Sequence, residues 1–454
     1  MFAASAIPPD VLAICKRLRE AGHAAFVVGG SVRDLLIGRA PGDFDVATSA
    51  HPEATMRIFG TRYAIPTGLQ HGTVTVLAGN PPAQRHVEVT TFRGEGTYLD
   101  GRRPSTVTFG ATLDEDLSRR DFTMNAIAYD PTSGAITDPF DGQGDIARKI
   151  VRAVGDPILR FSEDGLRPMR AVRQAAQLEF ALDPDTQAAI PRTLGSFRKV
   201  SAERIRDELR KLLLAPTPSR GLECMRVTGL LAEVLPELLP TVGCVQNRFH
   251  KHDVYTHTLA TVDAAVPDFI VRMAALLHDL GKPQTQAPRE DSPGEHSFFR
   301  HEQIGTAMAD AICIRLKLPA TERNTICALV SGHMFFYTPD WTDGTVRRFV
   351  RRVGPELVPA LFALREADVA SRGQGEDPRC ETRDLSARIA KVASEDAALR
   401  VTDLAIDGKD VMRVLGIPPS RRVGEVLEQL LEKVLDDPKL NDRDTLETLV
   451  RSMA

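Results

Sequence analysis

Hydrophobic and polar positions divide the chain into two stretches with different periodicities. From Ala25 to about Ala128, short apolar runs are separated by turn residues, and these runs are AAFVVGG, DFDVAT, HGTVTVLAG, RHVEVTTF and STVTFGA. Apolar and polar residues that alternate with a period of two are typical of strands, so this stretch is predicted to form one mixed sheet. Beyond about Asp145 the apolar residues recur at helical spacing, as in AERIRDELRKLLL and FIVRMAALLHDLG, which predicts helices.

Length and composition indicate a globular protein with several cores. The chain has 454 residues, and about 150 residues per domain suggests roughly three domains. Hydrophobic residues make up 43% and charged residues 26%, which is ordinary globular usage. The longest apolar runs are interrupted by charge well before about 18 residues, and the N-terminus lacks the pattern of a secretory signal. We therefore expect a soluble, cytoplasmic protein without a membrane segment.

Cysteine usage and net charge add little chemistry. Six cysteines are spread along the chain without Cys-x-x-Cys spacing, which predicts reduced structural thiols. The formal net charge is −4, so any surface that binds nucleic acid must be local.

A glycine turn near the N-terminus has the features of a phosphate site. The predicted strand AAFVVGG ends in Gly29 and Gly30, and the segment VRDLLIG after it has the pattern of a helix start. Glycines allow a close approach to the backbone, and the amides at a helix start attract anions. By itself, however, a Gly-Gly turn is weak evidence for a phosphate site.

Two carboxylates follow on the next predicted strand. Asp43 and Asp45 flank Phe44, and a period of two points both carboxylates to one face. Such carboxylates repel each other unless cations lie between them, and Mg²⁺ can bridge them to a triphosphate. A solvated pair at a strand edge is the alternative. Glu88 is a candidate third carboxylate from a neighbouring strand, and an exposed strand acid is the equal alternative.

The ordered motifs resemble the class II tRNA nucleotidyltransferase and poly(A) polymerase family, a branch of the polymerase-β superfamily. The resemblance rests on GGSVRDLLIG, DFDVAT, GLQHGTVTV, EGTYLDGRRP and DLSRRDFTMNAIA, which occur in this order. It implies an α+β fold, with a polymerase-β-like head that contains a mixed sheet and all-α segments after it. It also implies template-independent transfer of a nucleoside monophosphate from CTP or ATP to an RNA 3′ hydroxyl, with release of pyrophosphate.

The resemblance implies roles for individual residues of the head. Asp43 and Asp45 match the residues that hold Mg²⁺, and Glu88 stays the third catalytic candidate. The glycine turn and the RRDF motif supply the expected contacts to the nucleotide phosphates and ribose, namely Gly29, Gly30, Arg33, Arg120 and Asp121. A two-metal arrangement needs no protein nucleophile.

A later segment carries residues that can recognise a base. In EDGLRPMRAVR, Asp164, Arg167, Arg170 and Arg173 recur at every third position and would share one face of a helix. Asp accepts from an exocyclic amine and Arg donates in a fixed fork, so the pair can meet the Watson–Crick edge of cytosine or adenine. From the spacing alone, a solvent-facing stripe is the alternative. The resemblance matches Asp164 and Arg167 to the family's protein template, and Arg170 and Arg173 to further nucleotide-side positions.

Two neighbouring features concern the helices around this segment. Pro168 is tolerated in a first turn, so the base-recognition helix is predicted to begin near Ser162 or Glu163. SAERIRDELRKLLL resembles the family's next motif, in which Glu203 and Arg204 are interpreted as structural. The basic residues around it form either a surface for the tRNA backbone or a solvated helix face.

Histidines concentrate between residues 250 and 333, which hold seven of the eleven in the chain. The ordered set His257, His278, Asp279, His301, His333 and Asp368, with ALLHDLGKP around its centre, resembles the HD phosphohydrolase superfamily. The resemblance implies a site for one or two metals, each ligand on a different helix, that activates water against phosphoesters. A divalent transition metal is therefore a second candidate cofactor beside Mg²⁺. Packed core histidines are the alternative.

Together the resemblances divide the chain into four parts. They are a nucleotidyltransferase head (1–140), a helical neck with the base-recognition helix (141–220), an HD-type helical body (221–375) and a helical tail that binds tRNA (376–454). The expected enzyme builds or repairs the 3′ CCA end of tRNA with CTP and ATP. A secondary phosphohydrolase activity is a further expectation, because some family members carry one.

Several alternatives remain. An enzyme that adds only A is open. A poly(A) polymerase is disfavoured because IFGTRYAIPTGLQHGTVTV lacks the Arg-rich element of those enzymes, and CC-only addition because EGTYLDGRRP retains a flexible-loop motif. From other classes, the chain could be chiefly an HD phosphohydrolase with a disused head, or a non-catalytic RNA-binding protein.

Overall fold

The structure is a computed structural model that describes residues 4–79, 84–94, 110–247, 251–289, 292, 295–373, 375, 377–394 and 400–453. The motif EGTYLDGRRP and most of STVTFGA lie outside the described residues. The chain forms two units, Met1–Pro236 and Glu237–Ala454. The four-part division stays a prediction. In the described part of the chain, no helix is both long and apolar enough to span a bilayer.

A mixed seven-stranded sheet is the scaffold of the first unit. Its strand order is β3-β4-β5-β2-β1-β6-β7, and the β2–β5 pair is parallel whereas the other pairs are antiparallel. The strands are β1 Ala25–Val28, β2 Asp45–Thr48, β3 Ala64–Gly68, β4 Thr73–Ala78, β5 Arg85–Thr91, β6 Ala128–Tyr129 and β7 Ile136–Thr137. A short parallel pair, β8 Ile150–Val151 and β9 Ala181–Leu182, lies outside this sheet. The predicted mixed sheet is confirmed.

The sequence pattern did not predict β3, which lies at one edge of the sheet. Most of its residues are exposed, so it lacks the alternation that marked the other strands. Its Pro66 has no amide hydrogen to donate, and an edge strand tolerates this because only one side of it pairs.

Both faces of the sheet carry apolar packing. Val27, Val46 and Val89 belong to a core that they share with apolar residues of the helices Pro9–Glu20, Gly30–Leu36 and Pro52–Phe59. Val28 and Ala47 belong to a second, smaller core on the opposite face. Because side chains alternate along a strand, Asp45 and Glu88 point to the same face as Val28 and Ala47.

Helices complete the first unit, some packed on the sheet and others packed on one another. They are α1 Pro9–Glu20, α2 Gly30–Leu36, α3 Pro52–Phe59, α4 Leu113–Ser118, α5 Gly142–Arg148, α6 Pro157–Glu163, α7 Arg167–Leu178, α8 Pro184–Arg192, α9 Leu194–Phe197, α10 Ala202–Leu213, α11 Pro218–Val227 and α12 Leu230–Val234. The helix predicted after the glycine turn is α2, and the predicted stretch 202–214 is α10 within one residue.

The segment predicted to recognise the base, residues 163–173, is not one helix. The prediction of a helix beginning near Ser162 or Glu163 was wrong, because α6 ends at Glu163 and α7 begins at Arg167. Asp164 therefore lies in the turn between two helices, whereas Arg167, Arg170 and Arg173 lie on α7. Pro168 occupies the first turn of α7, where a missing amide hydrogen costs no helical bond.

The second unit is helical, apart from the pair β10 Gln286–Pro288 and β11 His296–Phe298 in the described residues. Its helices are α13 Val254–Ala264, α14 Phe269–Leu277, α15 Lys282–Thr285, α16 His301–Arg315, α17 Ala320–Gly332, α18 Asp343–Val353, α19 Val358–Ser371, α20 Cys380–Ser394, α21 Gly408–Leu415, α22 Arg421–Asp436 and α23 Arg443–Arg451. The last three helices share a core that includes Val411, Leu430 and Leu446. The six cysteines form no disulfide, as predicted.

Gly165 tests how closely the turn before α7 is packed. A Cβ at this position would overlap the backbone carbonyl of Ser196, so we expect Gly165→Ala to destabilise the protein by about 1–3 kcal/mol. Gly195→Ala is the matched control, because a Cβ at Gly195 meets no atom within 4 Å. Calorimetric unfolding measures both variants. Equal melting temperatures for the two would contradict the packing of this turn.

Candidate functional site

A cleft of about 550 Å³ opens in the first unit, on the face of the sheet that carries Asp45 and Glu88. It brings together seven of the predicted site residues, namely Asp45, Glu88, Arg120, Asp121, Asp164, Arg167 and Arg170. Five other residues predicted for this site do not line the cleft, namely Gly29, Gly30, Arg33, Asp43 and Arg173.

Asp45 and Glu88 are direct neighbours in the sheet. They are paired in register across the parallel strands β2 and β5, so both carboxylates leave the same face. Phe44 points the other way and is buried in the larger core. Asp43 is exposed just before β2. The strand pairing therefore places two acids at one point of the cleft, with a third acid close by in sequence.

The cleft holds other acids that differ from Asp45 and Glu88 in their partners. Asp116, Asp121 and Asp164 each form a salt bridge with an arginine, and their partners are Arg120, Arg170 and Arg204. Among the described residues, Asp45 and Glu88 have no salt bridge within 4.0 Å. Negative charge at these two carboxylates is thus compensated less directly than at the other three acids, and a bound cation would be favoured there.

The pKa of Asp45 reflects this environment. Burial and the nearby Glu88 and Asp43 carboxylates raise the pKa of Asp45 to about 6, although the Arg120 guanidinium acts in the opposite direction. Since a bound divalent cation would favour the ionised carboxylate, the donor set fits a hard metal ion such as Mg²⁺. Asp43, Asp45 and Glu88 do not form a group of three ligand atoms within 4.8 Å; in the described residues such groups occur in the second unit.

Gly29 lies against the same carboxylate. Its φ is 79°, in the left-handed region, and a Cβ there would be 3.0 Å from Nη1 of Arg120 and 3.5 Å from Oδ2 of Asp45. Glycine is thus favoured by the backbone conformation, and a Cβ would in addition make a tight contact with the Arg120 guanidinium.

Asp121, which is buried, links the sheet side of the first unit to α7 through an ion pair with Arg170. Its Oδ2 accepts from Nε and Nη2 of Arg170 at 2.9 and 2.6 Å, and its Oδ1 accepts from Nδ2 of Asn125 at 2.9 Å. Burial alone would raise the pKa of Asp121, but the Arg170 guanidinium and the Asn125 amide hold it well below its ordinary value. Asp121 is therefore ionised at neutral pH.

Arg33 is held behind the cleft wall. It donates to Oδ1 of Asp34 at 2.8 Å, to Oδ1 of Asn125 at 2.7 Å and to Oε1 of Gln174 at 3.2 Å. Gln174 is buried on α7, so these bonds link the helix after the glycine turn to the helix that carries Arg167 and Arg170. In this structure Arg33 connects the two sides of the site rather than lining it.

Arg173 also has a partner away from the cleft. Its Nε donates to Oε2 of Glu208 at 2.5 Å and its Nη1 to Oε1 of Gln177 at 2.6 Å. Glu208 is buried on α10, so Arg173 fastens α7 to α10.

Asp164 and Arg167 face the cleft from the turn and the start of α7. Arg167 donates from Nη1 to the Arg160 carbonyl and to Oε2 of Glu163, at 2.8 and 2.6 Å, and from Nη2 to the Arg119 carbonyl at 2.9 Å. The Arg167 side chain is thus fixed by neighbouring groups, and both Asp164 and Arg167 line the cleft.

Arg204 is a cleft residue that the sequence analysis interpreted as structural. It lies on α10 and donates from Nη1 and Nη2 to the two carboxylate oxygens of Asp164, at 3.0 and 2.8 Å. Other cleft residues that the sequence analysis did not single out are His71, Thr73, Thr90, Arg93, Asp116 and Arg119. Thr73 and Thr90 face each other across β4 and β5, so their alternation with buried valines was the available signal.

A second cluster of chemistry-bearing residues lies in the second unit. His257 lies on α13, His278 and Asp279 follow α14, His301 begins α16, His333 follows α17 and Asp368 lies on α19. All six are buried. Two groups of three ligand atoms converge within 4.8 Å, His257 with His278 and Asp368, and Asp279 with His301 and His333.

The hydrogen bonds of the histidines fix which nitrogen faces the centre of the cluster. Nδ1 of His278, His301 and His333 lies 2.8, 2.8 and 2.6 Å from a backbone carbonyl, to which it donates. Nδ1 of His257 lies 3.0 Å from Oγ of Ser371. In a neutral ring this leaves Nε2 as an acceptor, which is the arrangement that metal-binding histidines adopt.

Asp279 stands between the two groups. Its Oδ2 lies 3.1 Å from Nε2 of His278 and 3.6 Å from Nε2 of His257, whereas its Oδ1 lies 3.4 Å from Nε2 of His301. Nε2 of His301 and Nε2 of His333 are only 3.3 Å apart, which two lone pairs tolerate only with a proton or a cation between them. The mixed nitrogen and oxygen donors fit a divalent first-row metal.

Charge within the cluster supports the same interpretation. Burial and the neighbouring His278 lower the pKa of His333 to about 3, so this ring is neutral at physiological pH. Burial would raise the pKa of Asp279, but His278 and the Lys282 ammonium, 2.6 Å from Oδ2, keep it well below its ordinary value. Burial would lower the pKa of His278, but the Asp279 carboxylate raises it. The neutral His333 ring and the ionised Asp279 carboxylate are in the protonation states that a metal ion requires.

Three regions of the chain match known protein families. Residues 25–152 match the poly A polymerase head domain, residues 179–241 match the probable RNA and SrmB-binding site of polymerase A, and residues 253–398 match the HD domain. The first two ranges contain the cleft residues from β1 to α5 and Arg204, and the third contains the histidine cluster.

Two relatives and one solved structure that resemble the chain are all described as CCA-adding enzymes. The chain is 31% identical over 455 residues to the CCA-adding enzyme of Streptococcus gordonii, covering 97% of this chain and 96% of that protein. It is 49% identical over 223 residues to the CCA-adding enzyme of Lactobacillus johnsonii, covering 49% of this chain and 54% of that protein. A crystal structure of the Bacillus stearothermophilus CCA-adding enzyme in complex with CTP superposes with a TM-score of 0.73 at 31% identity, covering 98% of both chains.

The ionised Asp45 carboxylate is predicted to destabilise the metal-free protein. Its pKa is raised from 3.8 to about 6, so folding disfavours the charged form; the penalty is present above pH 6 and absent below about pH 4. In the presence of a chelator, Asp45→Asn should therefore be more stable than wild type by about 1–3 kcal/mol at pH 8, but not at pH 4. Calorimetric melting at both pH values measures this difference.

Glu53→Gln is the control for this measurement, since Glu53 is an exposed acid of α3 that does not line the cleft. We expect it to leave stability unchanged at both pH values. An Asp45→Asn protein that is no more stable than wild type at pH 8 would contradict the described environment of Asp45.

Proposed function

The chain belongs to the family of the CCA-adding enzymes, and on this premise we propose that it adds CMP and AMP from CTP and ATP to the 3′ end of tRNA, with release of pyrophosphate. The observation that carries the proposal is the composition of one cleft. Two carboxylates suited to a metal, Asp45 and Glu88, line it together with a candidate base-recognition pair, Asp164 and Arg167.

Asp45 and Glu88 are proposed to hold Mg²⁺, with Asp43 as a further ligand. Three observations support this role: the two residues are paired in register across parallel strands, neither forms a salt bridge within 4.0 Å among the described residues, and the pKa of Asp45 is raised. When bound, Mg²⁺ would lower the pKa of the RNA 3′ hydroxyl and neutralise charge on the leaving pyrophosphate. The carboxylates orient the reacting groups, and no side chain needs to act as a nucleophile.

The arginines of the cleft are proposed to bind the triphosphate. Arg120 lies beside Gly29 and Asp45, Arg170 is fixed by Asp121, and both line the cleft together with the proposed metal ligands. Their fixed forks suit phosphate oxygens. Gly29 and Gly30 form the turn next to Arg120, and Arg33 and Arg173 hold the surrounding helices.

Asp164 and Arg167 are proposed to select the base. Cytosine and adenine each present an exocyclic amine next to a ring nitrogen that accepts hydrogen bonds. The Asp164 carboxylate can accept from the amine while the Arg167 guanidinium donates to the ring nitrogen. One fixed pair of side chains therefore suits both CTP and ATP without a nucleic-acid template. A tRNA partner is supported by the match of residues 179–241 to an RNA-binding family and by the relatives' name. A cytoplasmic location stays a prediction.

Loss of the Asp45 carboxylate should abolish nucleotide addition. We expect Asp45→Asn to lower the rate of tRNA extension by at least about 100-fold, because the metal loses a ligand that faces the reaction. The assay uses tRNA that ends before CCA, after C and after CC, supplied with CTP and ATP separately and together. Gel electrophoresis resolves each added nucleotide and also distinguishes complete CCA addition from A-only addition.

Glu53→Gln should extend all three tRNAs at the wild-type rate. The proposal fails if Asp45→Asn extends tRNA as well as wild type does. Addition of A alone, whatever the tRNA end, would replace it with the A-adding alternative.

A second activity, metal-dependent hydrolysis of phosphoesters, is proposed for the histidine cluster. Its support is the convergence of four Nε2 atoms on the carboxylates of Asp279 and Asp368. We propose that each of the two groups of three ligands holds one divalent transition metal. A metal there would supply an activated water, and Lys282 and Arg372, which line the same 180 Å³ cavity, would contact the phosphate.

Asp279 should be required for metal binding, because it presents one oxygen to each group. We expect Asp279→Asn to lower the Mn²⁺ content after dialysis at least about fivefold, measured by mass spectrometry. It should also abolish hydrolysis of a model phosphoester while sparing tRNA extension. Asp310→Asn, on α16 but outside the cluster, should keep the wild-type metal content. Unchanged metal content in Asp279→Asn would refute the proposed centre.

A further inference from the structure

We propose that Arg204 determines base specificity by fixing the acceptor geometry of Asp164. The inference rests on the proposed function, because it concerns how Asp164 distinguishes CTP and ATP from UTP and GTP. Arg204 is a positioning residue in this scheme: it acts through the Asp164 carboxylate and makes no contact with the base itself.

The contacts of Asp164 occupy three of the four acceptor positions of its carboxylate. Oδ1 accepts from the Leu166 amide and from Nη1 of Arg204, both at 3.0 Å. Oδ2 accepts from Nη2 of Arg204 at 2.8 Å. Each carboxylate oxygen offers two acceptor positions, so among the described residues one position on Oδ2 remains for a ligand in the cleft.

The direction of this remaining position depends on Arg204. The Leu166 amide alone would leave the carboxylate free to rotate about its Cβ–Cγ bond, because it holds a single oxygen. The planar Arg204 fork contacts both oxygens and therefore fixes the plane of the carboxylate. Asp164 then presents one acceptor, in one direction, to a nucleotide in the cleft.

A single fixed acceptor discriminates between the four bases. Cytosine and adenine place an amine at the Watson–Crick position next to the ring nitrogen, whereas uracil and guanine place a carbonyl oxygen there. The carboxylate oxygen accepts from the amine of cytosine or adenine. It repels the carbonyl oxygen of uracil or guanine, because two acceptors then face each other without a donor. A carboxylate that rotates can turn away from the carbonyl oxygen, so loss of the fork should relax the rejection of UTP and GTP.

The arrangement of the two base-recognition residues supports a separate role for Arg204. Arg167 is held by Glu163 and by the carbonyls of Arg160 and Arg119, none of which belongs to α10. Arg204 comes from α10 and contacts Asp164 alone of this pair. Its removal should therefore disturb the acceptor while leaving the donor in place.

The test measures kcat and KM for CTP, ATP, UTP and GTP with tRNA ending before CCA and tRNA ending after CC. We expect Arg204→Gln to lower the ratio of kcat/KM for CTP over UTP, and for ATP over GTP, by about 10-fold or more. Arg204→Lys should show an intermediate ratio, since an ammonium contacts the carboxylate without the planar fork.

Arg226→Gln is the matched control. It removes a comparable fork, in which Nε and Nη2 of Arg226 contact the two carboxylate oxygens of Glu223 at 2.8 and 2.6 Å, from α11 of the same unit and away from the cleft. We expect it to keep the wild-type ratios. Equilibrium binding of CTP and UTP to each purified variant gives a second measure of selectivity that does not depend on turnover.

Wild-type ratios in Arg204→Gln would overturn the inference. An equal loss of kcat/KM for all four nucleotides would overturn it as well, because a merely structural role of Arg204 predicts that result. Failure of the proposed function looks different: the wild-type protein would then add no nucleotide to tRNA, and the inference would fall with it.

Discussion

The ion pair between Asp121 and Arg170 holds the two sides of the cleft together. Asp121 follows the RR of the head motif, and Arg170 lies on α7, so the pair crosses from the sheet side to the helical side of the first unit. The Asp121 carboxylate is buried and the Arg170 guanidinium is partly buried, and each has a further partner, Asn125 or Glu208. Such a pair contributes little net stability, but the buried Asp121 carboxylate would be costly without its arginine. The pair thus specifies one relative position of the glycine turn and the proposed base-recognition residues.

Acidic residues explain how a chain of net charge −4 can build the proposed site for a triphosphate. Three acids of the cleft each hold one arginine in a fixed orientation, at Asp116, Asp121 and Asp164. Pre-oriented guanidiniums lose less conformational freedom when a phosphate binds. Among the described residues, Asp45 and Glu88 form no salt bridge with an arginine. A bound cation would relieve the repulsion between their carboxylates. The same residue type therefore serves two opposite electrostatic purposes within one cleft.

Local patterns in the sequence predicted much of this molecule, and contacts between distant segments account for what was missed. Alternating residues located β1, β2, β4 and β5, and the resemblance to the HD superfamily predicted the six residues that converge in the second unit. The edge strand β3 escaped because its exposed residues do not alternate. The break at Asp164 escaped because the every-third spacing continues through it. Arg204 lies 40 residues beyond Asp164, and only the packing of α10 brings them together.

Gly29 shows how narrowly such a cleft constrains the history of its sequence. A larger residue there would adopt an unfavourable left-handed backbone conformation and would also press on Nη1 of Arg120. Movement of the Arg120 side chain would relieve the contact but not the backbone strain. Substitutions at this position are therefore expected to be selected against. Related sequences should diverge around Gly29 while retaining glycine there.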